Sequence, residues 1–465
     1  MKLKKLLKGL KVQVKGNQDV EISGISIDSR QVAFGHLFIA KKGKVFDGAQ
    51  FVPQAIDAGA VAVLTDIYDP FLKKTQVIYH NVHELEAILA ARFYSYPSEE
   101  LFVAGVTGTK GKTTSAYLIK HLLEPAGLMS TVETVVGEMR MYASYTTHDA
   151  IYNQRWLKEM VETGCKAAVL EVSSHGLAQG RVDEIAFDLA VFTNLYPDHL
   201  DYHKTVECYA EEKKKLFQRA RSSILNADSP WSACMGKGLT YGIEQGEVRA
   251  EKIRLSPEGT SFTVDGCEFY IPLIGKFNVY NTLAAIAAAL SVGKPLFEMA
   301  QKLRSFQPPP ARLERVGNVY IDFAHTGEAL ENVLQTLQEI STGRVIVVFG
   351  CGGNRDPLRR TSMAKAADTY ADISIITNDN PRQEDPKKIA EEIVMGFRQT
   401  TPLVELDREK AIQKALEIAS GSDVILIAGK GHEREQILGS RTIPFDDRKV
   451  VEAILIPFAR NKFIN

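Results

Sequence analysis

Lys112, Thr113 and Thr114 close the glycine-rich stretch GVTGTKGKTT at residues 105–114. The stretch follows a short apolar run, 101–106, and precedes helical apolar spacing from residue 115 onward. Strand, glycine turn and helix form the setting of a phosphate-binding loop. Glycines let backbone N–H groups approach phosphate oxygens, and a helix N-terminus adds partial positive charge. Lys112 is placed to bridge the β- and γ-phosphates of a nucleotide, and Thr113 to offer its hydroxyl to Mg²⁺. The general spacing G-x-x-x-x-G-K-[ST] requires glycine at 106, where this chain has Val106. It is a near miss of the general motif. A glycine turn with a surface lysine is the competing reading, and the strand–helix context favours the nucleotide site.

Two further polar clusters follow apolar runs. One is Glu171-Val-Ser173-Ser174-His175; the other is Thr193-Asn194 leading into Asp198-His199-Leu-Asp201-Tyr-His203. Carboxylates and imidazoles after buried strands, beside a phosphate loop, suggest Mg²⁺ ligands near the γ-phosphate. Later in the chain come Asp322-Phe-Ala-His325, the glycine-rich 350–356 with Asn354 and Arg355, Asp379-Asn380-Pro381-Arg382, and Gly429-Lys-Gly-His432-Glu433. Near the start, Asp28-Ser29-Arg30 reads as a polar turn after a strand. Asn278 is either a helix cap or a ligand contact.

The elements that must position these groups are α/β throughout, and 465 residues suggest roughly three domains. Residues 1–97 mix short β-rich runs with helical segments such as 49–58, as a small mixed α/β domain. Residues 98–308 alternate strands and helices in the rhythm of a parallel-sheet, phosphate-loop ATPase domain. Short strands at 238–275 read as antiparallel hairpins on its sheet edge. A proline run at 308–310 marks a linker. Residues 309–465 form a second, Rossmann-like α/β domain, with strands expected at 319–323, 345–349, 373–377 and 424–427. A formal charge of −1 argues against a bulk polyanion partner such as nucleic acid. Five scattered cysteines, without a C-x-x-C pair, indicate reduced, cytoplasmic usage. The basic N-terminus has no apolar run long enough for a signal peptide or membrane span, and reads as a helix with a solvated lysine face.

With these motifs in view the sequence resembles the Mur ligases, ATP-dependent amide-forming enzymes of peptidoglycan precursor synthesis. The resemblance includes the shifted first glycine of the loop. EVSSHGLAQGRV, FTNLYPDHLDYH, YAEEKKKLF, GKFNVYN, DFAHT, GCGGNRD, DNPR and GKGHE fall in the family's order. DSR, DNPR and GKGHE together resemble the branch that adds the third residue, meso-2,6-diaminopimelate, to UDP-N-acetylmuramoyl-dipeptide through an acyl phosphate.

The resemblance implies that Gly108, Thr109, Lys110, Gly111, Lys112, Thr113 and Thr114 hold ATP. Asn278 and Asn281 would face its adenine, and Arg312, Asp322 and His325 would reach it from the last domain. Thr113, Glu171, His199 and a carbamylated Lys213 would bind Mg²⁺; Lys112, Glu171, His199 and Lys213 form the expected catalytic set. Asp28, Ser29 and Arg30 would take the uridine nucleotide, and Thr146, Thr147, Ser173, Ser174, Gln179 and Arg181 the muramoyl-dipeptide. Arg355, Asp379, Asn380, Arg382, Gly429 and Glu433 would form the amino-acid site. The implied enzyme is a cytoplasmic monomer with small-molecule substrates. His148, Ala311 and Gly327 depart from the family's usual residues. The competing readings are a sister ligase adding lysine or D-alanyl-D-alanine, a folylpolyglutamate synthetase-like ligase, and a non-enzymatic nucleotide switch.

Overall fold

The computed structural model describes residues 1–43 and 47–461. The chain divides into two compact units, residues 1–248 with 284–293, and residues 249–283 with 294 onward.

The first unit carries two sheets. In the smaller, five strands run in the order Gln13–Lys15, Thr75–Ile78, Ala62–Thr65, His36–Ile39, Gly24–Ser26. All neighbours are parallel except the first pair. The helix Val82–Phe93 covers this sheet through Leu85 and Leu89, which pack with Leu37, Leu64 and Val77. The N-terminal helix is only Leu3–Leu6. Its leucines are buried in that core and its lysines exposed, so the solvated lysine face is real but lasts one turn.

The larger sheet has nine strands, with Phe102–Thr107 at its centre. Ala167–Glu171 lies parallel on one side of it and Leu189–Phe192 parallel on the other. Val103, Ala104 and Val106 are wholly buried, as a strand covered on both faces requires. The glycine loop therefore leaves the central strand between the ends that carry Glu171 and Thr193. That is where open parallel sheets bind ligands. The following helix is Lys112–Leu122 and begins earlier than the apolar spacing indicates. Gly111, at φ +81°, turns the chain straight into it, so Lys112, Thr113 and Thr114 form its first turn.

In the second unit the strands Glu251–Ser256, Gly259–Val264 and Cys267–Ile271 form their own antiparallel sheet. The expectation of hairpins on the edge of the large sheet is corrected for these three. Only Leu239–Gly242 and Val248–Arg249 belong to that edge, and the former pairs in parallel. A six-stranded sheet follows in the order Glu314–Val316, Val319–Asp322, Val424–Ala428, Val345–Phe349, Ile373–Ile376, Leu403–Val404. All but the first pair are parallel. Val345, Val347 and Phe349 join one apolar core, while Ile346 and Val348 join the other. The period-two alternation thus feeds helices on both faces of the sheet. Among the described residues no helix is long and apolar enough to cross a membrane.

Candidate active site

Gly108 has φ +151°, and a Cβ there would fall 1.9 Å from Thr193 Oγ1, so the loop tolerates no side chain at this point. The loop is laced to the next strand end. Thr109 N donates to Asn194 O at 2.9 Å. Lys110 N donates to Asn194 Oδ1 at 2.8 Å, and Thr193 Oγ1 to Lys110 O at 2.7 Å. Lys112 Nζ folds back onto Gly108 O and Thr109 O, at 3.0 and 2.9 Å. Thr113 and Thr114 are buried in the first helical turn.

Lys213 comes from the helix Val206–Arg219 and is 1% exposed. Its Nζ donates to the same Gly108 O at 2.8 Å and lies 4.4 Å from the centroid of the Tyr209 ring. Two lysine nitrogens therefore converge on one carbonyl oxygen. Among the described residues no carboxylate pairs with Lys213. Burial, then the charge of Lys112, drives its pKa well below the ordinary lysine value. Tyr209 also reaches the loop, with its hydroxyl 3.3 Å from Thr109 Oγ1.

Three histidines gather beside this pair. The His175 ring lies tilted 4.3 Å from Tyr202 and meets His199 and His203 edge-on at 5.0 and 5.4 Å between centroids. Burial and the other two imidazoles push His175 down to about 4. His199 adopts φ +55°; burial lowers its pKa, Asp198 opposes this, and Lys112 and Lys213 add to it. His203 Nε2 is 2.9 Å from Ser174 Oγ.

Glu171 is 1% exposed, and its carboxylate accepts from Thr131 N at 2.9 Å and Thr131 Oγ1 at 3.0 Å. Thr131 Oγ1 also lies 3.1 Å from Thr146 Oγ1. Thr147 Oγ1 donates to Glu171 O and receives Ser173 N, both at 2.9 Å. Arg181 donates to Thr147 O at 2.6 Å and Gln179 Oε1 at 2.7 Å. The expected muramoyl-dipeptide residues thus form one connected patch. His148 stacks on Tyr152 at 3.8 Å, with its Nε2 buried and without a hydrogen-bond partner. Among the described residues no three His, Cys, Asp or Glu side chains already form a cation-holding cluster. The donors near the loop, a carboxylate, a hydroxyl and an imidazole, nevertheless suit a hard divalent cation that keeps part of its water shell.

Asp28 caps the short turn Ser29–Gln31 and holds Arg30 through two parallel bonds, at 2.9 and 2.8 Å. Ser29 Oγ donates to Gln54 Oε1 at 2.8 Å. The turn expected from the residue types is present. In the second unit Asn278 lies inside the helix Lys276–Ser291, reaching back to Ile274 O at 2.9 Å. It is therefore no N-cap. Asn281 donates to Asn278 Oδ1 at 2.9 Å. Asp322 accepts from Leu313 N at 2.8 Å, and the Arg312 guanidinium lies 5.2 Å from the Phe323 ring centroid. The His325 and His432 rings flank Phe323 at 4.6 and 4.9 Å.

At the C-terminal edge of the six-stranded sheet, Asn380 Nδ2 donates to Glu433 Oε2 at 2.7 Å. Lys430 is fully buried between Asn380 Oδ1, Glu433 Oε2 and Glu435 O. Gly429 has φ +108°, and a Cβ there would sit 2.8 Å from Asp379 Oδ2. Arg382, at φ +53°, donates to Gly353 O at 2.8 Å. Among the described residues Arg382 forms no ion pair; the nearby Glu384 pairs with Arg360 at 2.7 Å. Arg355 is exposed on the loop whose Gly353 N bonds Asn380 O. The phosphate-loop group belongs to the first unit, and the group from Asn278 to Glu433 to the second. Sequence reasoning gave no role to Thr131, Tyr209 or Lys430. Tyr209 opens YAEEKKKLF and Lys430 stands between two glycines, whereas nothing local marks Thr131.

Residues 21–94, 106–289 and 311–431 match, respectively, the family descriptions "Mur ligase family, catalytic domain", "Mur ligase middle domain" and "Mur ligase, glutamate ligase domain". The chain is 44% identical to a UDP-N-acetylmuramoyl-L-alanyl-D-glutamate--2,6-diaminopimelate ligase of Chlamydia abortus, over 98% of this chain and 99% of the relative. It is 42% identical to the ligase of the same name from Caldanaerobacter subterraneus, with the same coverage. A solved structure of that ligase name superposes with TM-score 0.68 at 30% identity, covering 98% of this chain and 99% of the other.

Proposed function

This chain belongs to the Mur ligase family, and on that premise we propose that it uses ATP to join meso-2,6-diaminopimelate to the D-glutamyl γ-carboxylate of UDP-N-acetylmuramoyl-L-alanyl-D-glutamate. The observation that carries the reading is 44% identity over 98% of the chain to a ligase of that name. The domain division 1–97, 98–308 and 309–465 goes with it, supported by one principal sheet in each part.

A carboxylate is a poor electrophile, so amide formation in water needs activation. In our reading the γ-carboxylate attacks the γ-phosphorus of ATP, and ADP leaves. The amine of diaminopimelate then attacks the acyl carbon, the C–O bond to phosphate breaks, and amide, phosphate and a proton result. Lys112 and the loop N–H groups from Gly108 to Thr114 offset the repulsion between two anions as they meet. Thr147, Ser173, Ser174, Gln179 and Arg181 orient the dipeptide, and Asp28, Ser29 and Arg30 take the uridine nucleotide. For Asn278, Asn281, Arg312, Asp322 and His325 we keep the role that the family resemblance implies, contact with ATP.

Thr113, Glu171, His199 and a carbamylated Lys213 would hold Mg²⁺, which would supply positive charge to the phosphates. Two lysine nitrogens on Gly108 O support the carbamate: a neutral Lys213 Nζ forms an N–C bond to CO₂, loses a proton and becomes an anion. Arg355, Asp379, Asn380, Arg382, Gly429 and Glu433 receive the amino acid, with Arg382 facing its far carboxylate. All five cysteines are free thiols, in keeping with cytoplasmic work, and we take the enzyme to act as a monomer.

The test is phosphate release from ATP and UDP-muramoyl-dipeptide with diaminopimelate, with lysine, or with no amino acid. We expect turnover with diaminopimelate, background without amino acid, and lysine disfavoured by roughly a hundredfold or more in kcat/KM. Equal turnover with lysine reassigns the amino acid; phosphate release that ignores the amino acid sinks the ligase reading.

A further inference from the structure

Arg408 and Asp447 form an ion pair in which both side chains are 0% exposed. Each opens a helix, Arg408–Ile418 and Asp447–Asn461. Arg408 Nε donates to Asp447 Oδ1 at 2.7 Å, and one terminal nitrogen donates to Oδ2 at 2.8 Å. The guanidinium has donors left over, and they go to two backbone carbonyls. Ala428 O accepts at 3.0 Å and Asn378 O at 3.3 Å.

Those carbonyls lie where the candidate amino-acid loops begin. Ala428 is the last residue of the strand Val424–Ala428, immediately before Gly429. Asn378 follows the strand Ile373–Ile376 and immediately precedes Asp379. The two strands are not neighbours, because Val345–Phe349 lies between them. Strands two places apart stand about 9–10 Å apart. One planar side chain therefore ties together two strand ends across a third.

We propose that Arg408, held by Asp447, is a positioning residue that sets the separation of loops 379–382 and 429–433, and with it the affinity for the incoming amino acid. The inference rests on the amino-acid site proposed above. Stability alone accounts poorly for this arrangement, since a buried ion pair is often no better than well-packed apolar groups. Geometry is what the pair supplies, because the fork has fixed directions and Asp447 fills one side of it. Asp379 points to the same role. Burial holds its carboxyl above the usual carboxylate range, and Arg408 and then Lys430 offset part of that rise, so the guanidinium also favours an anion at the candidate amino-acid site.

The test measures the thermal midpoint and the KM values for diaminopimelate, ATP and UDP-muramoyl-dipeptide in wild type, R408K and the apolar double variant R408M/D447L. The double variant leaves no buried charge of the pair unpartnered and is expected to fold. Its KM for diaminopimelate should rise about tenfold or more, while the other two KM values stay within about twofold. R408K keeps the charge but loses the fork, and should show the same selective rise, smaller in size. The inference is overturned if folded R408M/D447L keeps the wild-type KM for diaminopimelate, or if all three KM values rise together. Should the double variant not fold, R408K decides alone, and an unchanged KM overturns the inference. Wild type that turns over without diaminopimelate would instead remove the amino-acid site itself, and the inference with it.

Discussion

Lys213 illustrates what residue types reveal and what they conceal. Its place in YAEEKKKLF marks it only through family resemblance, since three adjacent lysines look alike in composition. The structure separates them: Lys214 and Lys215 reach Glu211 and Glu212, while Lys213 alone turns inward to Gly108 O. We expect Lys213→Ala to lose at least a hundredfold in turnover and to recover part of it with added acetate or formate. Retention of more than about a tenth of wild-type activity, a loss of only ~1.4 kcal/mol, rules out the assigned role. Arg382 is legible differently, as a guanidinium in a proline-stiffened loop, but its half-buried setting and bond to Gly353 O are not. Arg382→Ala should raise KM for diaminopimelate steeply and leave KM for ATP nearly unchanged, because lysine and diaminopimelate differ by the one carboxylate this group would pair. Unaltered preference for diaminopimelate over lysine in the variant would remove Arg382 as the selector. Thr131 was out of reach altogether. It sits 40 positions from Glu171 in sequence, and nothing local marks a threonine that binds a distant carboxylate.

At the scale of elements, the strands of the parallel sheets were the most legible, since burial on both faces leaves continuous apolar runs. Val345–Phe349 is found where expected, and Val424–Ala428 extends the expected strand by one residue. The helix after the loop was less so, because its first turn is polar and its start depends on the φ of Gly111. The segment 251–271 misled for a related reason: alternation identifies a strand, not the sheet it joins. One carboxylate organises the turn that leads into Val424–Ala428. Asp423 accepts from Ser420 N and Arg344 N, both at 2.8 Å, and from the Arg344 guanidinium at 2.7 Å. The Arg344 side chain, then the Ser420 N–H, hold its carboxyl well below the usual carboxylate range. A lowered folded-state pKa means this contribution is present above the unfolded carboxylate value and is lost as pH falls through the folded value. Asp423→Asn should lower the thermal midpoint at neutral pH by roughly 3–6 °C. The gap from wild type should narrow below about pH 4. A gap that stays constant down to acid pH would mean the charge of Asp423 contributes nothing.

For the molecule as a whole, ordered motifs said more than any single one. The loop alone missed the general nucleotide pattern at Val106, and each polar strand end alone can be a cap. Their order along the chain carried the family, and full-length similarity to diaminopimelate-adding ligases supports the same reading. Sequence could not supply the links within each unit. The lacing of Lys110 to Asn194 and the Arg408 bridge between strand ends join residues far apart in sequence. In the proposed reaction ATP activates the glutamyl carboxylate before the amine attacks. UDP-muramoyl-dipeptide whose D-glutamyl γ-carboxylate carries oxygen-18 at both positions tests this order. After reaction with ATP and diaminopimelate, mass spectrometry of the released phosphate and of the new amide follows both labels. Activation through an acyl phosphate leaves one heavy oxygen in the phosphate and one in the amide. Unlabelled phosphate, with ATP consumed and amide formed, rules that activation out.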